Sequence, residues 1–160
     1  MKKILFGWIV LGMTVLTSSS YAQGKDQQIA DEIINMVKAQ WAAQAVDPNN
    51  SAEIDKNTAE DYTEFNPSYA TRIDGKTLSA KLNEASAKDP SRRLAAEMLN
   101  PKVQVYGEAA ILTYNFAGVV KSKEGETKPT RAKSTRVYAK INGKWKLVHA
   151  NFASDPLPKD

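Results

Sequence analysis

The sequence predicts an α+β fold in which helices come first and pack on one face of an antiparallel sheet. Before residue 90, apolar residues recur at helical spacing; after it, β-branched and aromatic runs are separated by turn residues. Such segregation of helical and strand segments is typical of α+β domains and differs from the alternation of α/β domains. The 160 residues include no cysteine, which excludes disulfides, thiol catalysis and thiolate metal sites.

The first 22 residues have the layout of a secretory signal peptide. Lys2 and Lys3 precede an apolar run, Ile4–Leu16, and small residues lead up to Ala22. The apolar run is shorter than the roughly 20 residues that a membrane-spanning helix needs. We therefore expect cleavage after Ala22, a single mature domain over residues 23–160, and a periplasmic or secreted location without membrane attachment.

The charge balance argues against nucleic acid as a partner. The chain has 22 basic and 18 acidic residues, so loss of Lys2 and Lys3 leaves a net charge of +2. No long basic run accompanies this small excess. A single histidine and no cysteine also argue against a metal site, and no phosphate-binding or cofactor motif is present. We expect neither a cofactor nor a metal.

Three helices are predicted in the first half of the chain. The first covers Asp26–Asp47, the second lies near Ala52–Ala59, and the third ends at Asp89-Pro90. The apolar face of the first helix repeats every four residues and comprises Ile29, Ile33, Val37 and Trp41. Between the second and third helices, the segment with Tyr62 and Glu64 is predicted to form a short strand and an irregular loop.

Turn residues divide the second half into long strands. Asn100-Pro101 predicts a bend or bulge within a strand. Gly107 and Asn142-Gly143 predict tight hairpins. A two-residue turn at Asn142-Gly143 would pair Ile141 with Lys144 and, by regular alternation, Arg136 with His149. One sheet face would then carry Arg136, Tyr138, Trp145, His149 and Asn151, and the other would carry Val137, Ala139, Val148, Ala150 and Phe152.

This predicted pairing makes Arg136 and the only histidine, His149, the candidate site. An arginine beside an imidazole suits a ligand that carries a carboxylate. The residues alone leave a plain structural alternative open. In it, His149 hydrogen-bonds within the sheet, and Arg136 reaches solvent or pairs with Glu64 or Asp61.

The strand-rich half resembles the carboxy-terminal half of the nuclear transport factor 2-like superfamily. It is most similar to the association domain of calcium/calmodulin-dependent kinase II and to the bacterial SnoaL-like relatives of that domain. The resemblance spans roughly residues 26–158 and is most specific in its last third. Its motifs are Glu64–Pro67, Leu99-Asn100-Pro101, Gly107, Thr135-Arg136-Val137, Gly143-Lys144-Trp145 and Val148-His149.

The resemblance implies a cone-shaped, strongly curved antiparallel sheet wrapped around three helices, with a pocket lined by Arg136 and His149. It also implies homodimers or a ring of dimers built through the reverse face of the sheet. Two positions depart from the family pattern: Asn151 replaces a second histidine, and Phe116 replaces an arginine. Nothing in the chain resembles a kinase catalytic domain, so kinase activity is not implied.

Three functions remain open from the sequence. The first is a ligand-binding or oligomerisation module for a small acidic or aromatic molecule. The second is a proton-transfer enzyme, such as an isomerase, dehydratase or cyclase, with His149 as the catalytic candidate. The third is a structural or protein-interaction role in the cell envelope. The predicted ligand-binding residues are Arg136, His149, Asn151, Tyr138, Trp145, Tyr62 and Glu64.

Overall fold

A computed structural model describes residues 16–89 and 91–155, with side chains from residue 24 onward. Helices precede the long strands in this part of the chain, which confirms the predicted α+β class. The elements are α1 Leu16–Val46, α2 Ser51–Ile54, β1 Thr58–Phe65, β2 Ile73–Asp74, α3 Lys76–Ser86, β3 Arg92–Tyr106, β4 Ala109–Lys121, β5 Thr127–Ile141 and β6 Lys144–Ser154.

Most of the predicted leader lies outside the described residues. Residues 16–22 form the start of α1, and the predicted cleavage position after Ala22 falls within that helix. In the part of the chain that the structure describes, no helix is both long enough and apolar enough to cross a membrane. The leader and its cleavage therefore remain predictions.

The strands form one curved, unclosed sheet in the order β2-β1-β6-β5-β4-β3. Strands β3 to β6 make the predicted antiparallel meander. Asn142 and Gly143 have φ values of 51° and 77°. A type I′ turn requires positive φ at both central residues, so the predicted β5–β6 hairpin is confirmed. Asn100, with φ of 50°, lies at a break in the β3–β4 pairing, where the sequence predicts a bulge.

Two shorter elements differ from the prediction. Helix α2 is a single turn, Ser51–Ile54, because the chain turns at Asp55 and enters β1 at Thr58. Strand β1 lies beside β6 and runs parallel to it, so the sheet is not purely antiparallel. Parallel neighbours require a long crossover, which here includes α3 and the meander, and no local sequence pattern reveals such a pairing.

The core lies between α1 and the inner face of the sheet. Ile33 and Val37 of α1 are 0% and 1% exposed, and they pack in one cluster with Leu112 of β4 and Leu147 of β6. Trp41 continues the same stripe and meets Tyr114 edge to face, with ring centroids 5.9 Å apart. The four-residue apolar repeat in the sequence is therefore the buried face of α1.

A β-bulge changes the pairing of β5 with β6. The predicted register continues from the hairpin as far as Tyr138, which pairs with Leu147. Val137 then pairs with His149, so β6 contains one extra residue at Val148. Successive side chains of a strand point to opposite faces of the sheet. One extra residue therefore puts every later residue of the strand on the face opposite to the predicted one. Arg136 pairs with Ala150 instead, and the predicted Arg136–His149 pair is wrong.

The bulge also changes which residues share a face. Ala150 is fully buried and Phe152 packs against the core, so both lie on the inner face with Arg136. His149 and Asn151 lie on the outer face. The apolar patch predicted for dimer contacts therefore loses two of its five members, Ala150 and Phe152, to the interior.

Candidate functional site

A cavity of about 460 Å³ lies between the helices and the inner face of the sheet. Its lining comes from α1, α3, the residue after α2, the loop that follows β1, and strands β1, β3, β4, β5 and β6. The volume is within the range of small-molecule sites, which runs from roughly 300 to 1,000 Å³. Charged side chains of both signs line the cavity, and their arrangement determines which ligands it can accept.

Arg136 of β5 is a buried cation in this lining, only 6% exposed. Its Nε donates to the Tyr114 hydroxyl at 3.2 Å, and its Nη1 donates to Gln40 Oε1 at 2.9 Å. The guanidinium carbon lies 5.3 Å from the centroid of the Phe152 ring. Among the described residues, no carboxylate forms an ion pair with Arg136. A guanidinium has five N–H donors, so donors remain for an anion in the cavity.

Arg93 of β3 and Arg131 of β5 also line the cavity, and with Arg136 they form what we call the arginine wall. The guanidinium of Arg93 lies 5.4 Å from the centroid of the Phe116 ring, and its Nη1 donates to Gln44 Oε1 at 3.4 Å. Arg93 is partly exposed to solvent, and partial desolvation lowers its pKa, but a guanidinium remains protonated in proteins. The arginine wall is therefore cationic at neutral pH.

Tyr62 and Glu64, two of the predicted ligand-binding residues, are on one face of β1, and both line the cavity. Glu64 Oε2 accepts a hydrogen bond from the Tyr62 hydroxyl at 2.6 Å, and its Oε1 accepts one from Asn66 Nδ2 at 2.8 Å. Burial, followed by the charge of Glu64, raises the pKa of Tyr62 far above its usual range. The phenol therefore remains a donor to the carboxylate.

Asp55 follows α2 and places a second carboxyl group on the lining; we call Asp55 and Glu64 the carboxylate wall. Asp55 is 4% exposed, and its Oδ2 has no hydrogen-bond partner among the described residues. Burial raises the pKa of Asp55, against the opposing effect of Lys76. Buried polar atoms are almost always hydrogen-bonded, so this orphaned oxygen requires an explanation.

Tyr138 and Trp145, two of the predicted ligand-binding residues, lie in the core and not on the main cavity. They are 2% and 3% exposed and belong to the cluster beneath α1. Tyr138 borders a separate cavity of only about 20 Å³. Lys140 is the partner of Trp145 across the sheet, and its Nζ lies 5.9 Å from the Trp145 ring centroid. Both side chains contribute to packing at the base of the site.

His149 and Asn151 lie outside the main cavity because of the bulge in β6. His149 Nδ1 is 2.8 Å from Thr63 Oγ1, and its ring meets that of Phe65 edge to face at 6.0 Å. Asn151 is exposed and borders an outer groove. His149 hydrogen-bonds within the sheet, as the structural alternative predicts. The other half of that alternative is wrong, because Arg136 is buried and, among the described residues, forms no ion pair with Glu64 or Asp61.

The sequence patterns did not predict that Gln40, Tyr114 and Asp55 line the cavity. Tyr114 follows Leu112 by two residues on β4, so strand alternation could have placed it on the inner face. The bulge appears in the burial along β6, where the inward apolar positions change from odd numbers at Leu147 to even numbers at Ala150. Asp55 had no signal in the sequence, because its burial depends on contacts between α2, α3 and β1.

Solved structures share this fold. The association domain of C. elegans CaMKII is 20% identical with a TM-score of 0.67, and the match covers 81% of this chain and 98% of that one. A nuclear transport factor 2-like superfamily protein from Salmonella enterica is 19% identical with a TM-score of 0.68, covering 83% and 95%. The S. rosetta CaMKII hub is 21% identical with a TM-score of 0.64, covering 77% and 94%.

The sequence itself also matches a family. No curated protein is significantly similar to this sequence, but one family model matches it. The model of the calcium/calmodulin-dependent protein kinase II association domain matches residues 29–156, which include α1 from Ile29 onward, the whole sheet and every residue of the arginine and carboxylate walls. The chain belongs to the calcium/calmodulin-dependent protein kinase II association domain family, within the nuclear transport factor 2-like fold.

Proposed function

We propose that this protein is a binding module whose cavity accepts a small anionic molecule, in the simplest case a carboxylate. Arg136 carries this proposal. It is a buried guanidinium whose hydrogen-bond partners, Tyr114 and Gln40, are neutral, and it has no carboxylate partner among the described residues. A buried charge without a counter-ion is unfavourable, and an anionic ligand would supply the missing charge.

The rest of the cavity fits a ligand with an apolar body. Trp41, Phe116 and Phe152 line the same side as the arginine wall. Their rings would contact the hydrocarbon part of a carboxylic acid, while Arg93 and Arg131 would attract its charge during entry. Small-molecule sites commonly combine an apolar lining with a few oriented polar groups.

The test compares hexanoate with hexanamide, which has the same carbon chain but no charge, by calorimetry on the wild-type protein. Hexanoate should bind and hexanamide should bind at least about tenfold more weakly, because hydrogen bonds to charged groups contribute about 1.5–3 kcal/mol each. Arg136→Met should weaken hexanoate binding to a similar extent. Arg92→Met removes a charge of the same sign from β3 outside the cavity lining and serves as the matched control.

Equal binding of hexanoate and hexanamide, or no binding of either, would contradict the proposal. The comparison of the two ligands uses only wild-type protein. It therefore remains valid if Arg136→Met disturbs the fold by leaving Tyr114 and Gln40 without their donor.

We also propose that the module assembles into a homodimer or a ring of dimers. Its family is described as an association domain, and two of the similar structures are an association domain and a hub of CaMKII. Those names belong to the relatives, and assembly of this chain is an inference from family membership. From the predicted leader, we propose that the assembled module is located in the periplasm or outside the cell.

A proton-transfer enzyme is the second candidate, and Asp55 favours it. A carboxyl group whose pKa is raised by burial can serve as a general base or acid at a cavity wall. His149 cannot act there because it lies on the outer face. The test is deuterium incorporation next to the ketone of levulinate, a keto acid, in heavy water. Incorporation that is lost in Asp55→Asn would support catalysis, and no incorporation by the wild type would contradict it.

A further inference from the structure

We propose that the ligand of the cavity is a zwitterion, with Arg136 binding its carboxylate and Asp55 binding an ammonium group at its other end. This inference rests on the proposed function, because it uses the same cavity and the same arginine. It goes further by assigning the ligand a second charge of opposite sign. The observation behind it is the unpartnered carboxyl oxygen of Asp55 on the cavity lining.

Backbone hydrogen bonds hold Asp55 in place. Its N–H donates to the Ser51 carbonyl at 2.8 Å, and its own carbonyl accepts from the Thr58 N–H at 2.9 Å. These bonds fix the backbone of the turn between α2 and β1, and with it the position from which the Asp55 side chain reaches the cavity lining. Its Oδ2 is therefore an acceptor held at the cavity wall without a protein donor.

Neutral acceptors share the cavity lining with Asp55. Thr58 and Ser79 are 5% and 6% exposed, and both line the cavity together with Asn83. Ser79 and Asn83 come from α3, which packs against α2 and β1. An ammonium group has three N–H donors and no acceptor, so it needs several oxygen atoms around it. Hydroxyl and amide oxygens on the same lining as a carboxylate are the acceptors that such a group requires.

The charges around Asp55 also favour an incoming cation. Glu64 on β1 and Glu84 on α3 both act to raise the pKa of Asp55, whereas Lys76 on α3 acts to lower it. Lys76 makes its ion pair elsewhere, with Glu60 Oε1 at 3.4 Å. Lys76 has the largest effect of these three charges, but its ammonium pairs with Glu60 and does not line the cavity, so the charged groups that an incoming ammonium meets on the carboxylate wall are both acidic.

The two walls do not neutralise each other. Among the described residues, Arg136 is not within ion-pair distance of Asp55 or Glu64. A simple carboxylate would supply the anion for Arg136 but leave Asp55 without a donor. A simple amine would supply a donor for Asp55 but leave Arg136 without an anion. A molecule with both groups gives Arg136 and Asp55 each a partner of opposite charge within one cavity, and for that reason we assign a zwitterion.

The experiment uses three probes with the same carbon chain: ε-aminocaproate, hexanoate and hexylamine. Calorimetry on the wild-type protein should find ε-aminocaproate at least about tenfold tighter than either probe with a single charge. Asp55→Asn keeps the side-chain size but removes the charge, and it should reduce ε-aminocaproate binding to the level of hexanoate. Glu84→Gln removes a charge near Asp55 without touching the cavity lining, and it should leave the preference intact.

The outcomes separate this inference from the proposed function. If hexanoate binds as tightly as ε-aminocaproate, the zwitterion is excluded and the carboxylate site remains. If neither ε-aminocaproate nor hexanoate binds, both proposals fail. If Glu84→Gln lowers the preference as much as Asp55→Asn, the effect arises from the general field of the acidic region, and the role of Asp55 as the ammonium ligand is overturned.

Discussion

Arg136 on β5 and Ala150 on β6 are direct partners across the sheet, and both side chains are on the inner face. The methyl group of Ala150 is fully buried beside the arginine. A small partner leaves space for the guanidinium to reach Tyr114 and Gln40 from the middle of the sheet. The bulge at Val148 creates this pairing and so puts Arg136 and Ala150 together on the inner face of the sheet.

Ala150→Leu should therefore destabilise the protein. Three added carbons at a fully buried site should lower the free energy of unfolding by about 1–3 kcal/mol. Urea unfolding measures the change, and Ala109→Leu, at an exposed position on β4, is the matched control. Equal effects of the two substitutions would contradict the placement of Ala150 on the inner face.

The outer-face contact between His149 and Thr63 should contribute to stability but not to ligand binding. A double-mutant cycle with His149→Ala and Thr63→Val should give a coupling of about 0.5–1.5 kcal/mol, the usual range for one hydrogen bond. Hexanoate affinity should not change in either variant. Loss of binding in His149→Ala would place the imidazole back in the cavity, against the observed register.

Asp55 should make stability depend on pH. Its pKa is raised from the ordinary value of 3.8, so the folded protein binds more protons than the unfolded chain above that value. Stability then falls as the pH rises through this range. Asp55→Asn should unfold at higher urea than the wild type at neutral pH, and this gain should disappear as the pH approaches 3.8.

Asp89→Asn is the control with the opposite sign. The N–H of Ser91 donates to Asp89 Oδ1 at 2.7 Å, and hydrogen bonding from Ser91 lowers the pKa of that carboxyl. Asp89 therefore stabilises the fold at neutral pH and loses this effect as the pH falls below 3.8. If Asp55→Asn and Asp89→Asn changed stability in the same direction at neutral pH, the raised pKa of Asp55 would be refuted.

The oligomeric state is measurable by light scattering. A protein of this family should give at least twice the monomer mass at micromolar concentration. Dilution should shift the mass toward the monomer if the assembly is reversible. A stable monomer across the whole concentration range would contradict the proposed association.

Export is measurable by mass spectrometry of a periplasmic extract. Cleavage after Ala22 would leave Gln23 as the first residue, because the small residues before that bond match a signal-peptidase site. A control with Ala22→Leu should retain the leader. A protein that keeps Met1 and stays in the cytosol would show that the leader prediction is wrong.

The sequence by itself determined the elements whose signals are local. The four-residue repeat from Ile29 to Trp41 defined the buried face of α1, and Asn142-Gly143 defined the β5–β6 hairpin. Both depend on short-range physics, namely helical periodicity and a turn that requires positive φ. The family motifs around Arg136 likewise led to the cavity lining, because Arg136 is on the inner face in any register that keeps Tyr138 there.

Only the tertiary structure decided the composition of the site. One extra residue at Val148 moved His149 to the outer face, and strict alternation from the hairpin does not anticipate a bulge. The parallel contact of β1 with β6 brought Tyr62 and Glu64 to the cavity, and the packing of α2, α3 and β1 buried Asp55. These contacts join segments far apart in the chain. Their energies depend on the packing of the whole domain, so local sequence patterns do not predict these contacts.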